Sequence, residues 1–501
     1  MADVKREIER KYQATDDGPL PDLAGAGAVA DVVDRGVVEL DAVYYDTADE
    51  RLGAASLTLR RRTGGADAGW HLKFPVAPGV RDEIRAPLSD SVPGEIAALV
   101  RSRVRGAELV PVVRLRSARD VRHLVGADGT LLAEASVDTV DAERLNRAGG
   151  TAQWTEIEVE LADGADPAVL DAVEERLAEA GVRPSKATSK VAEALRRTGG
   201  SRARSAGRTA EPVTAGDHVL AYLREQREAI LARDPGVRRD LPDSVHQMRV
   251  ATRRLRSAFR SFGSVLDRDA TAPVAAELKW LARELGAGRD QEVLAERLAD
   301  ALDALPPGEL TGPVRERLGS WAAARHGSTR GRLLGVLDSA RYLALLDSLD
   351  TLLADPPLRK KAAREPGKVL TRALRKEGDK LDRLVTAALD LPPGEDRDHA
   401  LHQARKRAKR ARYAAEAAVP ALGGSARAVA RAAKKLTSLL GEHQDSVLAR
   451  QTLRELAAVA HAAGESSFTY GVLHEREERA ARRTEEKLPG TWAKARSAFP
   501  H

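Results

Sequence analysis

Two stretches of this sequence place imidazole, guanidinium and ammonium groups on one face of a helix, and the second is a version of the first. Residues 246–260 read HQMRVATRRLRSAFR, and residues 402–416 read HQARKRAKRARYAAE. On a helix of about 3.6 residues per turn, His246, Arg249, Arg253, Arg256 and Arg260 recur at steps of three and four and form one cationic stripe. His402, Arg405, Lys409 and Arg412 repeat the register, with Lys406 and Arg410 alongside, and no acid interrupts either stripe before Glu416. A charge run on a helix is ordinarily a solvated face, but this one is duplicated together with its surroundings. Each copy is followed by an apolar helix and a turn, LKWLARELGAGRD at 278–290 and AKKLTSLLGEHQD at 433–445, which aligns Lys279 with Lys434, Leu285-Gly286 with Leu440-Gly441, and Asp290 with Asp445. An acid-free cationic face repels itself unless an anion lies on it, and two related faces predict one long anion between them. His399 and His402 stand three apart, yet a metal there would be repelled by the stripe, so the histidines read as phosphate donors. Asp290 and Asp445 read as caps or as partners that orient arginines.

A second set of chemical groups lies on alternating residues before position 162. Glu7, Glu9 and Lys11 share one strand face; Arg60 and Arg62 oppose Leu57 and Leu59; His71 and Lys73 oppose Trp70, Leu72 and Phe74. Arg81, Glu83 and Arg85 share a face, Arg114 and Arg116 oppose Val113 and Leu115, Glu134 and Asp138 share a face, and Glu156, Glu158 and Glu160 oppose Ile157, Val159 and Leu161. A sheet with one wet face explains alternation, but it does not require acids on the first and last strands and cations between. Carboxylates two apart on a strand can hold a hard divalent cation, and arginines and lysines opposite them can grip phosphate oxygens. The expectation is an antiparallel β-barrel with a charged interior, its apolar outside covered by helices at 93–105, 167–181 and 185–197. Tyr44 and Trp154 are assigned to outer-face packing.

These sets imply an α+β multidomain chain of 501 residues, long enough for separate cores. Residues 197–216, RTGGSRARSAGRTAEPVTAG, lack apolar periodicity and read as a linker. After it comes an all-α domain of two pseudo-symmetric bundles, divided near Pro392. Charged residues are 31% of the chain and the net charge is +6, so the stripes are local concentrations offset by acid elsewhere. Aromatics are 3%, too few for base-stacking platforms, which argues against specific nucleic-acid binding. Cysteine is absent, which excludes disulfides and thiolate metal sites. Neither a signal-peptide core nor an apolar run of about 18 residues is found, so a cytoplasmic protein without a membrane partner is expected.

The ordered set Glu7-x-Glu9-x-Lys11, Tyr44-Tyr45-Asp46-Thr47, Leu59-Arg60-Arg61-Arg62, Leu72-Lys73, Glu83-x-Arg85, Asp138 and Glu156-x-Glu158 resembles the CYTH superfamily of triphosphate tunnel metalloenzymes over residues 3–199. The paired His-x-x-Arg helices and Leu-Gly-x-x-x-Asp turns resemble the CHAD domain, a helical polyphosphate-binding fold, over residues 213–499, with 200–212 as the linker. Gln444 departs from the first copy, which has Arg289 there.

The first resemblance implies hydrolysis of inorganic triphosphate or polyphosphate. Mg²⁺ or Mn²⁺ would be held by Glu7, Glu9, Asp138, Glu156 and Glu158, with Glu160 leaving open which of the last strand's carboxylates bind metal. Lys11, Arg60, Arg62, Lys73, Glu83, Arg85, Arg114, Arg116 and Lys186 would form the catalytic set around the phosphates, Lys186 being preferred to Lys190 as the closing lysine. The second resemblance implies a polyphosphate groove of His246, Arg249, Arg253, Arg256, Lys279, His402, Arg405, Lys409, Arg412 and Lys434. The alternatives are a non-catalytic polyphosphate-binding or localisation protein, and an enzyme acting on thiamine triphosphate or ATP, by hydrolysis or cyclisation.

Overall fold

The computed structural model describes residues 3–14, 20–146, 149–199, 211–286 and 289–500. The chain divides into two compact units, Met1–Ala210 and Glu211–His501, and most of the expected linker lies outside the described residues.

The first unit is a closed antiparallel barrel. Its strands are β1 (Asp3–Gln13), β2 (Asp31–Asp46), β3 (Thr58–Thr63), β4 (Gly69–Ala77), β5 (Val80–Ala86), β6 (Val110–Val125), β7 (Leu131–Arg144) and β8 (Thr151–Leu161), hydrogen-bonded in the order β5-β4-β3-β2-β6-β7-β8-β1. Closure falls to β1, which changes partner midway: Asp3 to Ile8 pair with β5, and Glu9 to Gln13 pair with β8. A short strand, β9 (Arg183–Pro184), adds to the end of β1. The register shift between Asp34 and Gly36 on β2 is a bulge, and Gly36 takes φ 81°, a backbone angle that glycine adopts without strain.

A barrel with charges inside must bury its apolar residues outside, and helices cover two sectors. After a short helix α1 (Arg51–Ala54), α2 (Gly94–Val104) packs Ile96, Leu99 and Val100 on Leu57, Leu59, Trp70, Leu72 and Ile84. The next, α3 (Ala168–Glu179), packs Val169, Leu170, Val173 and Leu177 on Ala133, Ala135, Ile157, Val159 and Leu161. The third helix, α4 (Lys190–Arg197), departs from expectation. Its Val191 and Ala194 join Ala42, Tyr44, Val113, Leu115, Val140, Ala142 and Trp154, so it stops one end of the barrel.

The second unit is helical throughout: α5 (Ala215–Arg238), α6 (Ser244–Ser261), α7 (Arg268–Glu284), α8 (Arg289–Asp303), α9 (Val314–Asp338), α10 (Ala340–Ala354), α11 (Pro366–Asp390), α12 (Glu395–Leu422), α13 (Gly424–Ala462) and α14 (Phe468–Arg496). Thr214 and Asp217 close the start of α5 with a reciprocal capping box. The cationic stripes lie on α6 and α12. The opposite faces of these helices, Met248, Ala251, Leu255 and Ala258 on one and Ala404, Ala408, Ala411 and Ala415 on the other, enter a core that runs through both halves. Across the expected division near residue 392, α11 packs on α12 as α5 packs on α6. A satellite core joins α8 and α9 to α13 and α14. No described helix is long and apolar enough to cross a membrane.

Candidate functional site

The barrel encloses a cavity of about 820 Å³ lined by Lys5, Glu7, Glu9 and Lys11 of β1, Tyr44 of β2, Arg60 and Arg62 of β3, Lys73 of β4, Arg81 and Arg85 of β5, Arg119 of β6, Glu134 of β7, Glu158 and Glu160 of β8, and Lys190 of α4. The strand period of two puts each set inside. Two charge clusters organise it.

The first cluster is built on Glu83, which is fully buried. His71 Nδ1 lies 2.9 Å from it, Lys73 3.6 Å and Arg60 3.7 Å, and Arg85 Nε donates to its second oxygen. Lys73 also reaches Glu7 at 2.5 Å. Burial raises the Glu83 carboxyl, but His71, Lys73 and Arg60 outweigh it and hold the group far below the usual carboxylate range. Glu7 goes the other way: burial pushes it up despite Lys73. Next to this cluster, burial and then Arg60 and Arg119 pull the Arg62 guanidinium down to about 9. Cations crowded in this way gain from any anion that joins them.

The second cluster is acidic. Asp138, Glu156 and Glu158 are buried, and one oxygen of each lies within 4.8 Å of the others. Lys190 Nζ stands among them, 2.9 Å from Asp138, 2.7 Å from Glu156 and 2.5 Å from Glu158. Arg119 binds Asp138 through two nitrogens at 2.7 and 2.8 Å and reaches Glu158 at 2.8 Å. Lys11 bridges Glu158 and Glu9, the latter at 3.2 Å. Burial would raise Glu9, but Lys11 keeps it below its ordinary value. Three carboxylate oxygen donors at this spacing, all hard ligands, fit a divalent Mg²⁺ or Mn²⁺ ion.

The structure brings Glu7, Glu9, Lys11, Arg60, Arg62, Lys73, Glu83, Arg85, Asp138, Glu156 and Glu158 around this interior and leaves three expected residues out. Arg114 is bound to Asp41 at 2.9 Å on the outer surface, and Arg116, half exposed, faces Glu143 at 4.0 Å. Their apolar neighbours Val113 and Leu115 point inward, at the stoppered end, so the cation that β6 sends into the cavity is Arg119. Lys186 is exposed, and Lys190 takes the position expected of it. Tyr44 and Trp154 also face in: Tyr44 Oη accepts from Arg60 at 3.4 Å, and Trp154 Nε1 donates to Glu156 at 2.7 Å. Sequence reasoning gave Arg119 no role, although it stands an odd number of residues from the two arginines chosen. The available signal for Lys190 was Ser189, whose hydroxyl caps α4 by accepting from Ala192 N.

In the helical unit, the Leu-Gly pairs find a physical reason. A Cβ on Gly286 would lie 2.7 Å from Arg249 Nη2, and one on Gly441 would lie 3.2 Å from Arg405 Nη2. Each glycine therefore admits the arginine of its own His-x-x-Arg motif. His402 is half-buried, and burial followed by Lys406 pulls its imidazole below the ordinary value. Asp445 sits in the field of Arg405 and Lys409, with its carboxyl raised by burial; the side chains of Arg289 and Asp290 lie outside the described residues. His246, Lys279 and Lys434 are exposed, and Arg253 is partly exposed.

The pseudo-symmetry breaks where α6 and α12 meet. Arg254 of α6 and Arg412 of α12 both bind Glu416, at 2.9 and 2.7 Å, which takes Arg412 into an ion pair. The first copy has Arg260 where the second has Glu416. On that side Arg256 and Arg260 face Arg410, which burial and then Arg407 pull down to about 10. Glu377 pairs with Arg407 at 2.7 Å and partly offsets the charge on Arg410. A separate group, Asp398, His443 and Glu485, also has close ligand atoms, but Arg450 and Arg397 bind its two carboxylates at 3.1 and 3.2 Å, and it reads as a structural ion network.

The chain matches the CYTH domain over residues 5–194 and the CHAD domain over residues 221–454. Two Mycobacterium tuberculosis proteins, from strains CDC 1551 / Oshkosh and H37Rv and both named as uncharacterized proteins, are each 40% identical over 498 residues, covering 96% of this chain and 94% of the relative. Among solved structures, PptA from Streptomyces chartreusis is 24% identical, covering 56% of this chain and 99% of that one, with a TM-score of 0.47. The CHAD domain from Ricinus communis is 23% identical, covering 57% and 92%, with a TM-score of 0.42. HpAC1 from Hippeastrum, described as a putative adenylyl cyclase with a dominant triphosphatase activity, is 17% identical, covering 40% and 97%, with a TM-score of 0.23.

Proposed function

This chain belongs to the family in which a CYTH domain is followed by a CHAD domain, and on that footing we propose that its barrel hydrolyses phosphoanhydride bonds of inorganic triphosphate or polyphosphate while its helical domain binds inorganic polyphosphate. The observation that supports this best is the pair of charge clusters in one barrel interior, an acidic triad beside a set of buried cations. Asp138, Glu156 and Glu158, with Glu9 and Glu7 next along the wall, would hold Mg²⁺ or Mn²⁺; bound there, the ion supplies charge neutralisation and an activated water.

The chain's own residues do the rest. Arg60, Arg62, Lys73, Arg85 and Arg119 present N–H donors to phosphate oxygens. They stand in place before the reaction begins, so charge that builds on the transferring phosphoryl group meets preorganised donors at no cost of reorganisation. Glu83 fixes three of these cations by ion pairs and so sets their spacing. In the helical unit, Arg256, Arg260, Arg407 and Arg410 repel one another, and a polyanion laid across them relieves that repulsion.

The test is phosphate release from inorganic triphosphate, long-chain polyphosphate, ATP and thiamine triphosphate, with and without Mg²⁺. Turnover of the inorganic substrates only with metal is expected. A folded chain that releases no phosphate from any of them with Mg²⁺ or Mn²⁺ refutes the hydrolase and leaves a polyphosphate-binding protein.

A further inference from the structure

Lys190 holds the centre of the acidic triad, with its ammonium 2.5–2.9 Å from all three carboxylates and its side chain buried. A divalent ion bound by the same oxygens would stand about 2.0–2.6 Å from them, which is the space the ammonium fills. The two cations exclude each other by volume as well as by charge. The triad's negative charges also already face Lys190 and Arg119, with Lys11 shared between Glu158 and Glu9. A divalent ion therefore gains little until one of these leaves.

Lys190 is the one able to leave. Arg119 is held by two parallel hydrogen bonds to Asp138, and Lys11 is shared with Glu9. Lys190 is held by its ammonium alone, 2.5–2.9 Å from the three carboxylates that a metal would use, and it has no acid partner outside the triad among the ion pairs of the described residues. Its backbone is fixed at the first position of α4 by the Ser189 cap and by Val191 and Ala194 in the stopper, but its side chain lines the cavity and has four carbons on which to swing. Phosphate oxygens in that cavity would give the displaced ammonium a new partner.

We infer that Lys190 is a built-in counter-ion that keeps the triad closed to a divalent cation until a phosphate chain draws its ammonium away. The inference rests on the proposed reading of the barrel as a metal-dependent phosphate site. Metal and phosphate then bind with positive coupling, and by linkage each strengthens the other by the same factor.

The test uses the full chain and measures Mn²⁺ binding by electron paramagnetic resonance and calorimetry, alone and with non-hydrolysable imidotriphosphate. In the native chain the analogue should tighten Mn²⁺ binding by about 10- to 100-fold, within the usual range of coupling between sites. Lys190→Gln should bind Mn²⁺ alone at least ~10-fold more tightly than the native chain and lose most of the effect of the analogue, while Lys190→Arg keeps the charge and the coupling. Lys190→Met repeats the neutralisation with a side chain suited to the apolar stopper, and circular dichroism checks both folds. Neutral variants that are folded but bind Mn²⁺ no better than the native chain overturn the inference. Native chain that binds Mn²⁺ equally with and without the analogue also overturns it, leaving the metal site intact. If Mn²⁺ binds to no variant under any condition, the metal-dependent reading of the barrel fails as well. Were the neutral variants unfolded, the native coupling alone decides.

Discussion

Glu83→Gln removes one charge from the most enclosed acid in the barrel and keeps the volume and one carbonyl acceptor. Glu83 is fully buried and faces His71, Lys73, Arg60 and Arg85, so solvent cannot compensate for the loss. Removing one partner of a buried ion pair costs about 3–5 kcal/mol, because the remaining charge is left buried and uncompensated. Glutamine still accepts a hydrogen bond, which puts the expectation at the lower end, about 3 kcal/mol. For a unit of this size each kcal/mol shifts the melting temperature by about 2–4 °C, so the barrel's transition should fall by about 6–12 °C. The pH dependence gives an independent check. The Glu83 carboxyl is lowered in the folded state, so its contribution is complete above the unfolded pKa and is lost as pH falls toward the folded one. The gap between native and variant should therefore be full at pH 7 and narrow as pH drops below about 4. Circular dichroism melts over that range measure it. Equal melting temperatures at pH 7, or a gap that widens on acidification, refutes the account of Glu83 as the anchor of the cationic wall.

Arg119→Ala should lower triphosphate hydrolysis by about 10²-fold or more, as expected for loss of one preorganised donor, while Arg114→Ala on the outer surface should leave it within about twofold; steady-state phosphate release decides, and equal losses would undo the assignment of faces. Excess EDTA should abolish hydrolysis, and Glu156→Gln with Glu158→Gln should do the same with polyphosphate capture intact; full activity in EDTA would sink the metal reading. Arg260→Glu with Arg410→Glu should collapse polyphosphate retention in a filter-binding assay at fixed salt and leave triphosphate turnover near normal; loss of turnover in a folded chain would mean that the active site includes the helical unit. Glu416→Gln frees Arg254 and Arg412 from their shared acid and should strengthen polyphosphate binding several-fold at low salt, the gain fading as salt rises; unchanged binding would mean that this side of α6 and α12 does not meet the anion.

Alternation carried much of this site because a strand shows its two faces in the sequence directly. Glu7, Glu9 and Lys11, or Glu156 and Glu158, could hardly face anywhere but the cavity once Ile8, Ile157 and Val159 were assigned outside. The rule failed on β6 for a definite reason. A barrel that is stoppered at one end has an apolar interior there, so Val113 and Leu115 look like outer residues when they belong to the stopper, and the alternating Arg114 and Arg116 are thereby assigned to the wrong face. Tyr44 and Trp154 went astray in the same way. Lys186 and Lys190 could not be separated by pattern, since only the position of α4 across the barrel mouth distinguishes a buried ammonium from an exposed one. The helical stripes are legible as faces, and so is the i,i+4 pair of Arg412 with Glu416, but the bonds of Glu377 to Arg407 and of Glu416 to Arg254 cross helix contacts that no local period reveals.

The two units treat buried charge in opposite ways, and the difference follows from what each would bind. In the barrel, Glu7, Glu9, Asp138, Glu156 and Glu158 each stand against an ammonium or guanidinium group, so the fold can close with the interior nearly neutral. A metal ion and a phosphate chain arrive with opposite signs, and such an interior accepts both by exchanging partners: phosphates take the cations, and carboxylates take the metal. In the helical unit the ligand proposed is an anion alone, and exchange would strand an acid. There burial first, then Arg407, with Arg260 and Arg256 behind it, lower the Arg410 guanidinium against the single offset of Glu377, and across the helix pair, where Glu416 replaces an arginine, Arg254 and Arg412 share that one acid. A self-paired interior suits a site that must take up two kinds of charge, and a cluster with more cations than acids suits one that must hold a single kind.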